Sequence, residues 1–374
     1  MFVDGAPYFV RGMGYVINPV GESPEGGGRP WTDWAFSDVN HNGRIDGPFD
    51  AWVDANQNNK QDPDEPTVGD FQLMKEMGVN TIRWYCNAYP PNQKTNKELF
   101  RELFEKYGIR VVAGDYFGAY AIASGATYEQ GTDYRDPVQQ EKMLASVRQM
   151  VLENKDEPYL LLWLLGNENN LSLTHTNASQ YPEAYARFLN RAAQLIHELD
   201  GKHPVALSHG GGSEFLKFYK QFAPDVDILG ANAYMGAYGF GLFWKDVRKD
   251  YGKPILYTEY AGNENVTEKG QVAYHRGCWR DIEKNRAGGS GAGNALGGLA
   301  QEWLDRWWPG GDPDHHATVD MSQSISSGHA WNQEYAGFCT QGDGSQSPFL
   351  RQLRPVYYLY KDELWKNPDK PPAP

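Results

Sequence analysis

Short apolar runs of seven to nine residues alternate with longer amphipathic stretches along nearly the whole chain. The runs lie at 8–16, 80–86, 109–117, 159–166, 204–210, 226–234, 254–261 and 295–303, and their length and β-branched or aromatic content predict strands. Between and after them the spacing predicts helices over 69–77, 96–107, 137–154, 181–200, 213–222, 240–250, 267–285 and 353–366. The third shows the logic: Asp136 can cap, Pro137 suits the first turn, and Met143, Val147, Met150 and Val151 form one apolar stripe. Eight strand–helix units in sequence predict an α/β fold, a (β/α)8 TIM barrel spanning residues 1–366. A turn at Asp4-Gly5 between apolar flanks predicts a small hairpin closing the barrel floor. A doubly wound open sheet is the competing fold, but the first strand lacks the glycine-rich phosphate loop and helix start that such sheets carry.

The fourth run, "PYLLLWLLGNENN", passes from seven aliphatic or aromatic residues into Gly, Asn167 and Glu168. A carboxylate there is costly in a core, so the chain must reach a cleft at that point. Barrel chemistry sits at strand C-termini. Taken in order those ends supply Arg83, Asp115, Asn167 with Glu168, His209, Asn232 with Tyr234, Glu259, and Trp303. Glu168 and Glu259, on strands four and seven, face each other across the mouth of a closed barrel. Two facing carboxylates are the minimum for cleaving a glycosidic bond, one protonating the leaving oxygen and one attacking the anomeric carbon. Blander roles stand beside these: Arg83 as a buried ion-pair partner, Tyr234 and Trp303 as core aromatics, His209 as a structural histidine.

The segments "LLLWLLGNEN", "HELDGKHPV", "VDILGANAY" and "KPILYTEYAG", with "FVDGAPYFVRGMGY" and "GVNTIRWY" before them, resemble successive barrel segments of clan A glycoside hydrolases, and most of all the catalytic barrel of family 2. The likeness covers about 300 residues, as eight consecutive units require. It implies a retaining mechanism with Glu168 as acid/base and Glu259 as nucleophile. It further implies that Asn167 holds the sugar 2-hydroxyl, that Arg83 lies near the nucleophile, that Tyr234 is hydrogen-bonded to it, and that Trp303 is a platform under the sugar. His209, Asn232 and Asp115 are further cleft candidates. The β-sandwich domains that normally precede such a barrel are not in this sequence.

Between the first strand and its helix, residues 30–66 form an insertion too polar and too long for a plain connection. Asp54, Asn56, Asn58, Lys60, Asp62 and Glu65 fall at positions 1, 3, 5, 7, 9 and 12 of an EF-hand loop, Lys60 offering its carbonyl. Asp38, Asn40, Asn42, Arg44 and Asp46 repeat the pattern 16 residues earlier, with the last acid one position late at Asp50. The spacing predicts structural Ca2+; a solvated acidic loop is the alternative. Both turns resemble the calcium loops of dockerins. His315 and His316 beside Asp312 and Asp314 read as a solvated loop before a transition-metal site.

Charge and composition narrow the partners. A formal charge of -13 over 374 residues argues against nucleic acid and anionic membranes, which need basic patches. No apolar run approaches the roughly 20 residues that span a bilayer, and the first ten residues do not read as a signal peptide, so the chain reads as an excised or mature domain. The 12 Trp and 23 Tyr supply flat amphipathic rings suited to sugar surfaces. Cys86, Cys278 and Cys339 form no CxxC motif and cannot all pair. Residues 367–374, "NPDKPPAP", read as a Pro-rich tail or linker toward a further domain. Weakly caged calcium fits an extracellular or cell-surface location, in a bacterium that leaves the acceptor patterns at Asn170, Asn177 and Asn265 unglycosylated. The expected activity is retaining hydrolysis of a neutral oligo- or polysaccharide, with no organic cofactor. Transglycosylation behind an aromatic rim (Tyr116, Phe117, Tyr238, Trp244, Trp307, Trp308) and a carbohydrate-binding pseudoenzyme are the alternatives.

Overall fold

The computed structural model describes residues 1–23, 33–85, 94–262, 267–309, 311–316 and 333–366, together with the short strands 323–324 and 330–331. Cys86, Asn265 and the Pro-rich tail lie outside the described residues.

A hairpin, β1 (Phe2–Val3) and β2 (Ala6–Pro7), precedes the first barrel strand, β3 (Val10–Gly14). After the insertion, with its short strand β4 (Trp52–Val53), come β5 (Thr81–Trp84), β6 (Arg110–Asp115), β7 (Leu160–Leu165), β8 (Val205–Gly210), β9 (Ile228–Ala233), β10 (Ile255–Tyr260) and β11 (Ala295–Ala300). β3 and β5 to β11 close into one parallel barrel in chain order, β11 pairing back onto β3. Every predicted barrel strand is present, trimmed by a few residues at its ends.

The helices are α1 (Asp70–Met77), α2 (Lys97–Tyr107), α3 (Pro137–Asn154), α4 (Pro182–Leu199), α5 (Leu216–Phe222), α6 (Phe243–Asp246), α7 (Glu268–Lys284) and α8 (Pro355–Leu359). In α3, Asp136 accepts the Val138 amide, and Met143, Val147, Met150 and Val151 are buried against the barrel. Inside the barrel Val10, Val112, Leu162, Leu164, Ala206, Leu256 and Leu299 form a closed apolar plug. Met1, Val3 and Tyr8 pack beneath it, so the hairpin does close the floor.

The insertion is stitched into the body of the fold. β4 pairs in parallel with β15 (Leu350–Leu353), which in turn pairs with β14 (Cys339–Thr340). A further pair, β12 (Gln323–Ser324) with β13 (Ala330–Trp331), lies in the excursion after β11. Beneath β15 the fully buried Arg351 binds Asp70 through Nε (2.8 Å) and an Nη (2.9 Å), and Tyr15 donates to the same carboxylate at 2.9 Å. Cys278 and Cys339 are buried, their thiols donating to the carbonyls of Gly236 and Trp303.

Candidate active site

Glu259 stands near the end of β10, where the register against β9 slips: Tyr257 pairs with Ala231 but Glu259 with Asn232. The extra residue, Thr258, makes a bulge that re-aims the next side chain. Glu259 is 8% exposed, and both its oxygens are engaged. Arg83, at the end of β5, donates to Oε1 at 2.8 Å, and the Tyr234 hydroxyl donates to Oε2 at 2.5 Å. Arg83 is itself fixed by Asn167 Oδ1 (2.9 Å), the Thr258 carbonyl (3.2 Å) and Asn232 Oδ1 (3.3 Å), and its guanidinium lies 4.1 Å over the Tyr85 ring. Burial, with Glu259 and Glu168 nearby, pushes the Tyr234 hydroxyl far above its ordinary range, so it remains a donor.

Glu168 follows β7 in a segment held by amides. Its φ is +55°, a left-handed conformation costing a side-chain-bearing residue on the order of 1–3 kcal/mol, which the surroundings must impose. Gly166 precedes it at φ +84°, where a Cβ would meet Asn169 Oδ1 at 2.2 Å. The buried Asn169 accepts the Asn167 amide (2.7 Å) and donates to the carbonyls of Tyr116 and Phe117 and to the Tyr134 hydroxyl. Asn170 forms a reciprocal pair with the Gly210 backbone, and Thr176 donates to the Asn169 carbonyl at 2.6 Å. Burial and the charge of Glu259 push the Glu168 carboxyl up to about 8, against the pull of Arg83 and Asn232. One carboxyl thus carries a proton at neutral pH beside a second that is clamped by a cation and a phenol. Such a pair can divide between them the work of a general acid and of a carboxylate base or nucleophile.

The family model described as "Glycosyl hydrolases family 2, TIM barrel domain" matches residues 55–284. The chain belongs to glycoside hydrolase family 2. It is 27% identical over 248 residues to a β-galactosidase of Lactococcus lactis, covering 65% of this chain and 21% of that one. It is 23% identical over 225 residues to a putative β-glucuronidase of Formosa agariphila, covering 58% and 19%. Among solved structures it superimposes on the β-D-glucuronidase of Dictyoglomus thermophilum with TM-score 0.53 at 17% identity, over 80% of this chain and 46% of that one. A calcium-binding mutant of Bacteroides uniformis β-glucuronidase 2 gives TM-score 0.55 at 16% identity, over 98% and 35%. The chain spans about a fifth of the length of these curated relatives.

Within this family 2 barrel, Arg83, Asn167, Glu168, Asn232, Tyr234 and Glu259 converge as their strand ends predict. Three other candidates do not. His209 is wholly buried, with Nε2 2.8 Å from the Gly212 carbonyl and Nδ1 3.1 Å from the Tyr219 hydroxyl. Burial lowers its pKa to about 4, so it is a neutral brace of the loop after β8. Asp115 turns toward α3, accepting Ser146 Oγ (2.5 Å) and the Phe117 amide (2.7 Å). Trp303 has no exposed surface; its ring packs against Tyr357 of α8 and cannot lie under a sugar. Of the proposed aromatic rim, Phe117 stacks on Phe188 and Trp244 donates to Asp281 inside the core, while Tyr238 is 97% exposed.

Strand-end counting missed Tyr120, whose hydroxyl lies 3.4 Å from Asn167 Nδ2, and Ser208, 3.4 Å from Arg83. Asn170, one of the acceptor patterns expected to stay unglycosylated, is 6% exposed, with its side chain bonded both ways to the Gly210 backbone.

The two polar loops of the insertion fold alike. Position 1 (Asp38, Asp54) accepts the amides of positions 5 and 6, position 3 (Asn40, Asn56) that of position 5, and position 5 (Asn42, Asn58) that of position 7. The later acids exchange roles. In the second loop the position-9 acid, Asp62, takes both asparagine amides, while Glu65 takes the amide of position 2. In the first, position 9, Asp46, takes the position-2 amide, and Asp50 takes the asparagines. The late acid thus takes the place in the first loop that Asp62 has in the second, and the first loop departs from EF-hand order. Arg44 lies 4.0 Å from Asp50. Among the described residues no basic side chain pairs with Asp46, Asp54, Asp62 or Glu65, although Asp46, Asp54 and Glu65 are buried, and no group of three or more His, Cys, Asp or Glu converges as a metal site. The donor sets are mixed carboxylate and carboxamide. His316 is stacked between Trp307 and Tyr335 while His315 is exposed against Asp312, so the two do not converge.

Proposed function

We propose that this chain is a retaining β-glycoside hydrolase acting on a neutral oligo- or polysaccharide. The observation that carries this is the pairing of a proton-bearing Glu168 with a Glu259 held by Arg83 and Tyr234. Glu259 Oε2 attacks the anomeric carbon while Glu168 gives its proton to the leaving oxygen, forming a covalent glycosyl-enzyme. Glu168, now ionised, takes a proton from water, which displaces Glu259 with net retention. Asn167, its oxygen used by Arg83 and Asn232, presents its amide nitrogen to the neighbouring sugar hydroxyl. Glu259→Ala should lose at least about a thousandfold in kcat and recover with azide, giving a glycosyl azide of inverted configuration. An inverted glycosyl azide from Glu168→Ala, with none from Glu259→Ala, would reverse the assignment, whereas Glu168→Ala as the acid/base variant gives a glycosyl azide of retained configuration.

The insertion loops are assigned calcium in the same proposal. Asp38, Asn40, Asn42, Asp46 and Asp50, and Asp54, Asn56, Asn58, Asp62 and Glu65, with the Arg44 and Lys60 carbonyls, would hold it once the carboxamides turn their oxygens inward. Buried carboxylates without basic partners support a cation there, and a neighbour aligned over 98% of the chain is described as a calcium binding mutant in which two aspartates are replaced by alanine. Its role is structural, and an extracellular or cell-surface location follows from the weak cage.

A further inference from the structure

The loop after β6 is held in strained backbone geometry. Phe117, Tyr120, Ala121 and Ala123 have φ of +51°, +56°, +59° and +65°, a left-handed region costly for a residue that bears a side chain. Gly118, among them at φ +90°, sits where a Cβ would meet Thr132 Cγ2 at 2.7 Å and Met143 Sδ at 2.8 Å. The geometry is imposed from outside the loop. The Thr132 hydroxyl donates to the Gly118 carbonyl at 2.6 Å, and the Tyr134 hydroxyl to the Phe117 carbonyl at 2.8 Å. Asn169, which also brackets Glu168, donates to the carbonyls of Tyr116 and Phe117. One asparagine thus ties this loop to the segment that carries the acid.

What the strain delivers is Tyr120. Its half-buried ring meets Tyr116 edge-on at 5.6 Å and 84°, and its hydroxyl lies 3.4 Å from Asn167 Nδ2. The end of the carboxamide that faces it is dictated by the partners on the other side. Arg83 carries donors only, so the oxygen of Asn167 must face it, at 2.9 Å. Asn232, whose own oxygen accepts Thr258 Oγ1 at 2.8 Å, gives its amide to the same Asn167 oxygen at 3.1 Å. The nitrogen is therefore turned to Tyr120.

Among the described residues Nδ2 bonds only that hydroxyl, which leaves one N–H over. A planar amide held at its oxygen and at one N–H has the direction of the other N–H fixed. Asn167 adjoins Glu168 and shares Arg83 with Glu259, so this N–H belongs to the reacting centre. We propose that Tyr120 is a positioning residue for the substrate: delivered by the strained loop, it turns the free Asn167 N–H onto the sugar hydroxyl next to the anomeric carbon. This rests on the hydrolase reading above and adds a residue to the same site. Hydrogen bonds of this kind are commonly long before substrate arrives and tighten on binding.

The test is kcat/KM on aryl β-galactoside and β-glucoside and on their 2-deoxy counterparts, for the wild-type chain and Tyr120→Phe. Phenylalanine keeps the ring against Tyr116 and removes only the hydroxyl. The substrates that carry the hydroxyl should lose about three- to tenfold, the worth of one neutral hydrogen bond, and the 2-deoxy substrates far less, so the hydroxyl-to-deoxy ratio falls. A merely structural role would lower both together. In an Asn167→Ala background the loss should vanish, because Tyr120 acts through that amide. An unchanged or rising ratio in Tyr120→Phe, or a loss that persists beside Asn167→Ala, would overturn the inference while leaving the hydrolase reading standing. If Asn167→Ala does not fold, the ratio alone decides. Wild-type inactivity on every substrate would remove the hydrolase reading. Calorimetric binding of galactose against 2-deoxygalactose to the wild type and Tyr120→Phe would then decide by the same ratio, with absence of binding counting against the proposal.

Discussion

At the scale of single residues, the chemistry turns on where one proton resides. Glu168 keeps it up to about pH 8 because burial and Glu259 penalise its charge more than Arg83 and Asn232 favour it. Turnover that needs the acid should fall as pH rises through about 8. In Glu168→Gln, kcat/KM for a dinitrophenyl glycoside, whose leaving group needs no proton, should persist without that alkaline limb, while poor leaving groups lose about 10²–10⁴-fold. A limb that survives in Glu168→Gln belongs to another group. The same shift has a stability consequence of fixed sign. The folded chain holds a proton that the unfolded chain releases near about pH 4.3. This group's contribution to stability is therefore fully present below that pH and lost as pH climbs to about 8.

At the scale of elements, the acid is aimed by its neighbours. Glu168 sits in a left-handed conformation because Asn169 and Asn170 tie the segment to the loop after β6 and to Gly210. Asn169→Ala leaves buried backbone carbonyls and the Tyr134 hydroxyl without their donor, which should cost about 1–3 kcal/mol, read by denaturant unfolding. Released from its bracket, Glu168 can relax to an unstrained φ, so kcat should drop at least about tenfold with KM little changed. A stability loss without the kcat loss would show that Asn169 holds the fold and not the acid.

At the scale of the whole molecule, the insertion and the end of the chain form one structure beside the mouth. Trp52 and Val53 pair with Leu350 and Arg351, Gln352 donates to Asp54 at 2.8 Å, and the Asp343 amide donates to Asn59 at 3.0 Å. Under the calcium assignment proposed above, the ion would stabilise the native state by mass action and touch no reacting atom. Chelation should lower Tm, and Asp54→Ala with Glu65→Ala should reproduce the drop without chelator. Metal analysis finding no calcium, with Tm indifferent to chelator, would leave these residues as an acidic loop.

The sequence by itself determined the eight-unit rhythm, the hairpin floor and the two acids. Each of these is local: periodicity fixes a strand, and an acid ending an apolar run marks a strand end wherever the strand packs. It also supplied Arg83, Asn167, Asn232 and Tyr234, because barrel strands deliver their ends to one rim in order. Only the tertiary structure separated His209, Asp115 and Trp303 from the cleft. Each follows a strand as Glu259 does, but one residue of register turns a side chain from the mouth to the core, and a bulge such as the one at Thr258 depends on neighbouring strands. Likewise nothing in "QEWLDR" marks Glu302 and Arg306 as a buried pair. Their burial follows from closing β11 onto β3 and β10, contacts between residues far apart in the chain.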